Sequence, residues 1–200
     1  MIENMLGSLT KIRILRLFFE YPNRSFTTDE ILTNSYVGRG YGGKCIRQFV
    51  NLDLLRMNKV GKEKRYSLNK ENRFYDTLND FFRAERSRYP TFSYLHRNLI
   101  GDMTQALDKE TIIVFGSVAA GTATPESDLD VLIITDRTEY VKKHVKRLEG
   151  KYRLDIQSIT LSLEKLKTLI KEKSQLIRNM GREKVFVYGN NEVLKMVENV

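Results

Sequence analysis

The sequence predicts a two-domain α+β protein. Residues 1–70 have the pattern of three helices followed by a basic hairpin, residues 71–90 that of a charged connecting helix, and residues 91–200 that of strands alternating with helices. Such alternation is typical of an α/β unit and is absent from the first 70 residues. A length of 200 residues is enough for two small domains.

Charge is distributed unevenly between the two parts. The chain has 34 Lys+Arg and 25 Asp+Glu, a formal net charge of +9. Residues 1–90 hold 17 basic and 10 acidic residues, a net of +7, and residues 91–200 hold 17 and 15, a net of +2. A basic first domain indicates a polyanionic partner, with nucleic acid as the first candidate. A generally charged, thermophile-like surface is the alternative.

Cysteine and histidine usage excludes several classes of site. Cys45 is the single cysteine, so an internal disulfide is impossible and a reducing, cytoplasmic location is expected. We expect Cys45 in the core and both His96 and His144 at the surface, without a Cys/His metal cluster.

The N-terminus lacks a signal-peptide pattern, and no apolar run approaches the ~20 residues of a membrane span, so no membrane partner is expected.

The first domain is predicted from apolar periodicity and from capping and turn residues. The predicted elements are a helix at 8–20 capped by Ser8 or Thr10, a short helix from Thr27 or Thr28, a Gly-rich turn at 37–43, a third helix at 43–57 and a β-hairpin at 59–69.

The third helix carries a polar face. Lys44, Arg47, Gln48 and Asn51 follow the spacing i, i+3, i+4 and i+7, which places them on one side of the helix. Arg can read guanine, Gln and Asn can read adenine, and Lys contacts phosphate, so this face suits the major groove of DNA. An ordinary solvated helix face has the same appearance. The basic residues of the hairpin are Lys62, Lys64 and Arg65.

Three helices followed by a basic hairpin resemble the winged-helix DNA-binding fold over residues 8–70. The resemblance implies that the third helix enters the major groove and that the hairpin touches the adjacent backbone. It also implies DNA as a partner. If DNA is bound, a homodimer is expected, because paired half-sites suit two-fold symmetry. The Gly-rich turn is longer than usual for the family, and a protein partner for this module is an alternative.

The second domain contains buried strands separated by helices. The predicted elements are a helix at 91–108, strands at 111–115, 131–135 and 153–159, helices at 138–149 and 162–178, a closing strand at 185–188 and a terminal helix.

A glycine and a serine follow the first strand of this domain. Gly116 allows a ligand to approach the backbone closely, and the residues after it can open a short helix whose N–H groups attract phosphate. Ser117 adds a hydroxyl donor. A plain strand-to-helix turn is the alternative.

Two carboxylates begin the next strand. Asp128 and Asp130 are two residues apart, so both point to one face, and their mutual repulsion favours a bound cation. Oxygen ligands indicate Mg²⁺ or Mn²⁺. Asp155, predicted in the middle of a strand, is the candidate third ligand. A loop-end capping pair and a surface strand residue are the respective alternatives. A phosphate cradle beside such a metal site is equipment for phosphoryl or nucleotidyl transfer.

The pattern Gly116-Ser117-Val-Ala-Ala-Gly121 followed by Ser127-Asp128-Leu-Asp130 resembles the motif of the DNA polymerase β-like nucleotidyltransferase superfamily, most closely its minimal nucleotidyltransferase branch. The resemblance covers residues 91–190 and implies an α/β domain with a mixed sheet. It implies that Gly116, Ser117, Gly121 and Ser127 bind the nucleoside triphosphate. It also implies that Asp128, Asp130 and Asp155 bind metal, with Asp155 as base.

The same resemblance implies transfer of a nucleotidyl group, AMP from ATP in the first instance, to a hydroxyl on a protein, a nucleic-acid end or a small molecule. Family members often act as antitoxins that modify a toxin, so a toxin-like protein acceptor is one candidate. The loop residues 118–120 lack the Arg of many family members, which bears on triphosphate binding. The alternative is a DNA-binding regulator whose second domain senses nucleotide or is inactive.

Overall fold

The computed structural model describes residues 5–124, 127–182, 186–189 and 191–198. The chain divides into two compact units, Met1–Arg88 and Tyr89–Val200. None of the helices in the described ranges combines the length and apolar character that a bilayer crossing requires.

The described residues of the first unit form helices and a three-stranded antiparallel sheet of order β1-β3-β2. Its elements are α1 Leu9–Glu20, β1 Ser25–Thr27, α2 Thr28–Asn34, α3 Arg39–Asn51, β2 Leu55–Val60, β3 Glu63–Leu68 and α4 Tyr75–Arg88.

Local sequence signals position the first two helices. The Ser8 hydroxyl caps α1 by accepting from the Lys11 N–H at 3.3 Å, and Thr27 and Glu30 form a reciprocal capping box at the start of α2. The apolar face of α1, with Ile14 and Phe18, is fully buried. The predicted bounds of the first helix and the predicted start of the second are therefore confirmed, and Cys45 is buried as expected.

The third helix departs from its predicted bounds. It spans Arg39–Asn51 rather than 43–57, so most of the predicted Gly-rich turn is helical, with Gly38 as N-cap. Tertiary packing explains this difference, because a Cβ at Gly42 would overlap the Leu32 side chain of α2. Glycine permits this close helix–helix approach and offsets its low helix propensity.

The hairpin begins earlier than predicted. β2 starts at Leu55, within the range expected to be helical, and pairs with β3 from Leu55↔Leu68 to Val60↔Glu63. Gly61 turns the chain with φ +62°. The three residues of β1, absent from the prediction, pair with the other side of β3.

The helix in the predicted connector range packs within the first unit. Phe82 of α4 stacks on Phe19 of α1 with ring centroids 5.1 Å apart. Glu85 accepts two hydrogen bonds from the Arg16 guanidinium, at 2.6 and 2.8 Å. Because both aromatic rings are buried, α4 is part of the core of this unit.

The second unit is built on a four-stranded sheet of order β6-β5-β4-β7. Its elements are α5 Tyr94–Ala106, β4 Thr111–Phe115, α6 Gly116–Ala120, β5 Leu129–Ile134, α7 Thr138–Tyr152, β6 Ile156–Leu161, α8 Leu163–Lys171, α9 Gln175–Arg182, β7 Phe186–Tyr188 and α10 Asn191–Glu198.

This sheet is mixed, as expected, because β5 and β6 are parallel while β4 is antiparallel to β5 and to β7. Ile113 and Leu132 face one side, where they pack against residues of α8, α9 and α10. The alternate residues Val114, Val131 and Ile133 are buried as well, so the central strands are covered on both faces.

One predicted helix is divided in two. The range 162–178 contains α8 and the start of α9, separated at Lys173, whose φ of +46° ends the first helix. The Ser174 hydroxyl accepts from the Ile177 N–H at 3.4 Å and so starts the second. Residue 185 of the predicted closing strand lies outside the described residues.

Candidate functional site

Asp130 and Gly116 are brought together by the pairing of β4 with β5. Phe115 is the register partner of Asp130, so the residue after Phe115 lies beside the Asp130 side chain. A Cβ built on Gly116 would overlap the carboxylate and lie 2.9 Å from its Cγ. Gly116 also has φ +71°. Glycine is therefore required here on two grounds, the left-handed backbone and the close carboxylate.

The short helix α6 follows directly and carries the half-buried Ser117. It ends at Gly121, whose φ of +79° and close approach to Thr91 also favour glycine. The loop positions that lack Arg now have a structural explanation, since Val118 and Ala119 are fully buried. The third residue of this loop segment 118–120, Ala120, is exposed.

Ser127 shapes the loop that leads into β5. Its hydroxyl accepts from the Thr124 N–H at 2.8 Å, and its own N–H donates to the Thr124 carbonyl at 3.1 Å. Residues 125 and 126 lie outside the described part of the chain. Ser127 is thus hydrogen-bonded to Thr124 immediately before the carboxylate pair.

Asp128 and Asp130 are both half-buried at the start of β5. The Asp128 carboxylate accepts a hydrogen bond from the Gln157 side-chain amide, with 2.8 Å between Nε2 and Oδ2. Gln157 lies on the parallel neighbour β6 and was absent from the sequence prediction. The signal that reveals it is the strand register, in which Asp130 is paired with Gln157.

Asp155 does not lie in the middle of a strand, which corrects the prediction. The chain turns after α7 with Arg153 at φ +52°, and β6 begins at Ile156, the first residue of this stretch that enters the core. Asp155 is exposed, and its carbonyl accepts from the Leu129 N–H at 3.0 Å. It therefore lies beside Asp128 where two parallel strands begin.

The three aspartates lie at one end of the sheet but do not form a ready-made metal cage. Within the described ranges, no three Asp, Glu, His or Cys side chains converge on a common metal position. Mg²⁺ commonly uses one or two protein carboxylates and takes its other ligands from water and substrate phosphates. Asp128 and Asp130 fit that requirement in chemistry and in spacing.

His96 is buried, contrary to the surface position expected from sequence. It lies in the first turn of α5, where its backbone N–H donates to the Ser93 hydroxyl at 3.2 Å. Burial lowers the pKa of His96, and the charge of Arg97 lowers it further. Both effects favour the neutral form of the imidazole.

The first unit presents the predicted polar helix face. Lys44, Arg47 and Asn51 are exposed on α3, and Gln48 is half-buried.

The hairpin of the first unit exposes Lys62 and Lys64. The Arg65 guanidinium instead donates hydrogen bonds to the Ser25 carbonyl at 2.9 Å and to the Ser25 hydroxyl at 3.1 Å. Lys59, missed in the sequence, is exposed directly opposite Lys64. Like charges at such a position are destabilising, so an anionic ligand would favour this arrangement.

Comparison with known proteins gives one match to a family model. Residues 96–189 match the model of the family described as Nucleotidyltransferase domain, a range that includes Gly116, Ser117 and the three carboxylates. Neither a curated protein nor a solved structure matched the chain. Nucleotidyltransferase domains in general use nucleoside triphosphates and divalent metals. The match supports a nucleotidyltransferase domain in the second unit and, in general terms, nucleotidyl transfer as its activity.

Proposed function

We propose that the protein is a metal-dependent nucleotidyltransferase that moves AMP from ATP to a hydroxyl acceptor. The observation that carries the proposal is the seating of the Asp130 carboxylate against Gly116, at the turn from β4 into α6. This arrangement brings an anionic metal-binding group beside the backbone that would receive the phosphates.

Each residue of the site has a proposed role. Gly116 and Ser117 would contact the triphosphate through backbone N–H groups and the Ser117 hydroxyl. Asp128 and Asp130 would hold Mg²⁺ or Mn²⁺, which when bound neutralises phosphate charge. Gly121 and Ser127 would act by shaping the two ends of the phosphate loop, since their described contacts are structural.

The reaction is displacement at the α-phosphorus. The acceptor oxygen forms a bond to that phosphorus, the bond to the bridging α–β oxygen breaks, and pyrophosphate leaves. The exposed carboxylate of Asp155, beside Asp128, would take the proton of the acceptor hydroxyl. The open position of Asp155 suits an acceptor that arrives from solvent, including a hydroxyl on a toxin-like protein partner.

A labelled transfer assay tests this function. Purified protein would be incubated with Mg²⁺ and α-labelled ATP, alone and with cell lysate, beside the Asp128→Ala/Asp130→Ala variant. Labelled product that is missing with the variant supports the proposal and identifies the acceptor. The absence of label with each of the four nucleotides would contradict it.

We propose further that the first unit is a winged-helix module that binds DNA through α3 and the hairpin. The supporting observations are the exposed Lys59–Lys64 pair of the hairpin and the exposed basic residues Lys44 and Arg47 of α3. These observations also favour the second candidate function, a DNA-binding regulator whose nucleotidyltransferase-like domain senses nucleotide. Such a regulator would bind DNA and nucleotide but leave no label on any acceptor.

A further inference from the structure

Gln157 contacts the candidate metal site but belongs to no recognised motif of the sequence. It is the second residue of β6, and its side-chain Nε2 lies 2.8 Å from Oδ2 of Asp128. The contact joins two parallel strands at the end of the sheet where the carboxylates gather. The position of the Asp128 carboxylate therefore depends on how β5 and β6 are paired.

The strand register explains how one amide serves this site. Gln157 pairs with Asp130, and register partners in a sheet point to the same face. Asp128, two residues before Asp130, lies on that face as well, within reach of the amide. Gln157 therefore lies on the same face of the sheet as both carboxylates.

The chemistry of an amide suits this position. A carboxylate offers two oxygens with about four acceptor sites, so one N–H donor restricts its rotation and leaves acceptor capacity for a cation. An amide carries no formal charge, so the bond leaves the negative charge of the Asp128–Asp130 pair intact. A Lys or Arg donor would neutralise part of the charge that attracts a divalent metal.

We propose that Gln157 is a positioning residue that orients the Asp128 carboxylate for a divalent cation held with Asp130. The inference rests on the proposed function insofar as this cation serves nucleotidyl transfer. Hydrogen-bond partners of metal ligands typically contribute 10–100-fold to metal affinity or activity. Because Gln157 is exposed and its bond is accessible to water, we expect the lower end of that range, about 10-fold.

The test measures Mn²⁺ binding directly, by electron paramagnetic resonance of the free ion, on the full-length chain. Gln157→Leu removes the donor at similar size, and Gln157→Asn keeps the amide on a side chain too short to reach Asp128. Ile159→Ala is the matched control, since it shortens an exposed side chain on the same face of the same strand. Asp128→Ala gives the affinity that remains without the carboxylate.

We expect Mn²⁺ to bind about 10-fold more weakly to both Gln157 variants and with wild-type affinity to Ile159→Ala. In transfer, the Mg²⁺ concentration for half-maximal rate should rise, while the KM for ATP at saturating Mg²⁺ stays near the wild-type value. If either Gln157 variant folds and binds Mn²⁺ as the wild type does, the positioning role is refuted. The role is also refuted if the wild-type chain binds no Mn²⁺.

The same experiment separates the inference from the proposed function. Wild-type transfer combined with unchanged Mn²⁺ affinity in the Gln157 variants would overturn the positioning role and leave the enzyme assignment standing. Weakened Mn²⁺ binding in those variants, with no transfer by the wild type, would support the positioning role and overturn the enzyme assignment.

Discussion

Replacing Gly116 with alanine should damage the candidate site more than it damages the fold. The backbone at this position has φ +71°, in the left-handed region that L residues other than glycine adopt at a cost of about 1–2 kcal/mol. The added methyl group must also displace the Asp130 carboxylate. The substitution therefore combines modest backbone strain with a local displacement at the proposed metal-binding face.

The size of that displacement follows from the geometry. A Cβ at position 116 would lie 2.9 Å from Cγ of Asp130, and ordinary van der Waals contact begins at 3.4 Å, so Cγ must retreat by at least 0.5 Å. The overlapping carboxylate oxygen must move farther. Displacements of about 1 Å in a catalytic constellation can cost on the order of 100-fold in rate. We expect a loss of that order at saturating ATP and Mg²⁺.

Gly61→Ala is the matched control for backbone strain. Its φ of +62° is similar, but its added Cβ would meet open space in the hairpin of the other unit. Initial transfer rates and urea unfolding followed by circular dichroism would be measured for both variants. We expect wild-type transfer from Gly61→Ala. Near-wild-type transfer by folded Gly116→Ala would refute the argument that Asp130 must remain against Gly116.

Three further outcomes can be measured on the same protein. Because burial lowers the pKa of His96, the unfolded chain binds its proton more readily, so stability should fall as pH drops below the ordinary value of about 6.5. Urea-unfolding midpoints measured at pH 7.5 and 5.5 test this. An equally large fall of the midpoint between these two pH values in His96→Gln would contradict it. Lys59→Ala/Lys64→Ala should reduce the salt slope of DNA binding by about 2 in a fluorescence anisotropy titration, whereas an unchanged slope would exclude both as phosphate contacts. Gly150→Ala, in an exposed helical position with open space around it, should stabilise by about 0.5–1 kcal/mol, and a lower urea midpoint would show the reverse.

Elements with strong local signals could be predicted from the sequence. The apolar run 111–115 forms a strand with the predicted bounds because it is buried in the centre of the sheet. Ser8 begins α1 because a hydroxyl at that point satisfies an otherwise unpaired helix N–H. In both cases the determining interaction lies within a few residues or follows from burial alone.

Elements that depend on tertiary contacts could not be placed in the same way. The four glycines of residues 38–43 predict a turn, yet packing of Gly42 against Leu32 makes this segment helical. The strand β1 has three residues, too few for an alternating pattern to be visible. His96 was placed at the surface because neighbouring side chains, which bury it, were unknown from sequence.

In the candidate site, too, local features could be predicted from the sequence and tertiary contacts could not. The spacing of Asp128 and Asp130 along one strand is local, and the structure places both at the start of β5. Contacts between strands require the register, which is why Gln157 and the seating of Asp130 against Gly116 emerged only from the fold.

The central claim is tested most directly by following the two ends of the triphosphate separately. Wild-type protein and Asp128→Asn, which removes the charge at nearly constant size, would be incubated with Mg²⁺ and lysate plus either α-labelled or γ-labelled ATP. The account predicts acceptor labelling from the α-position alone, with release of labelled pyrophosphate from γ-labelled ATP, and loss of both with Asp128→Asn. Acceptor labelling from the γ-position, or equal labelling by wild type and variant, would contradict nucleotidyl transfer at this site.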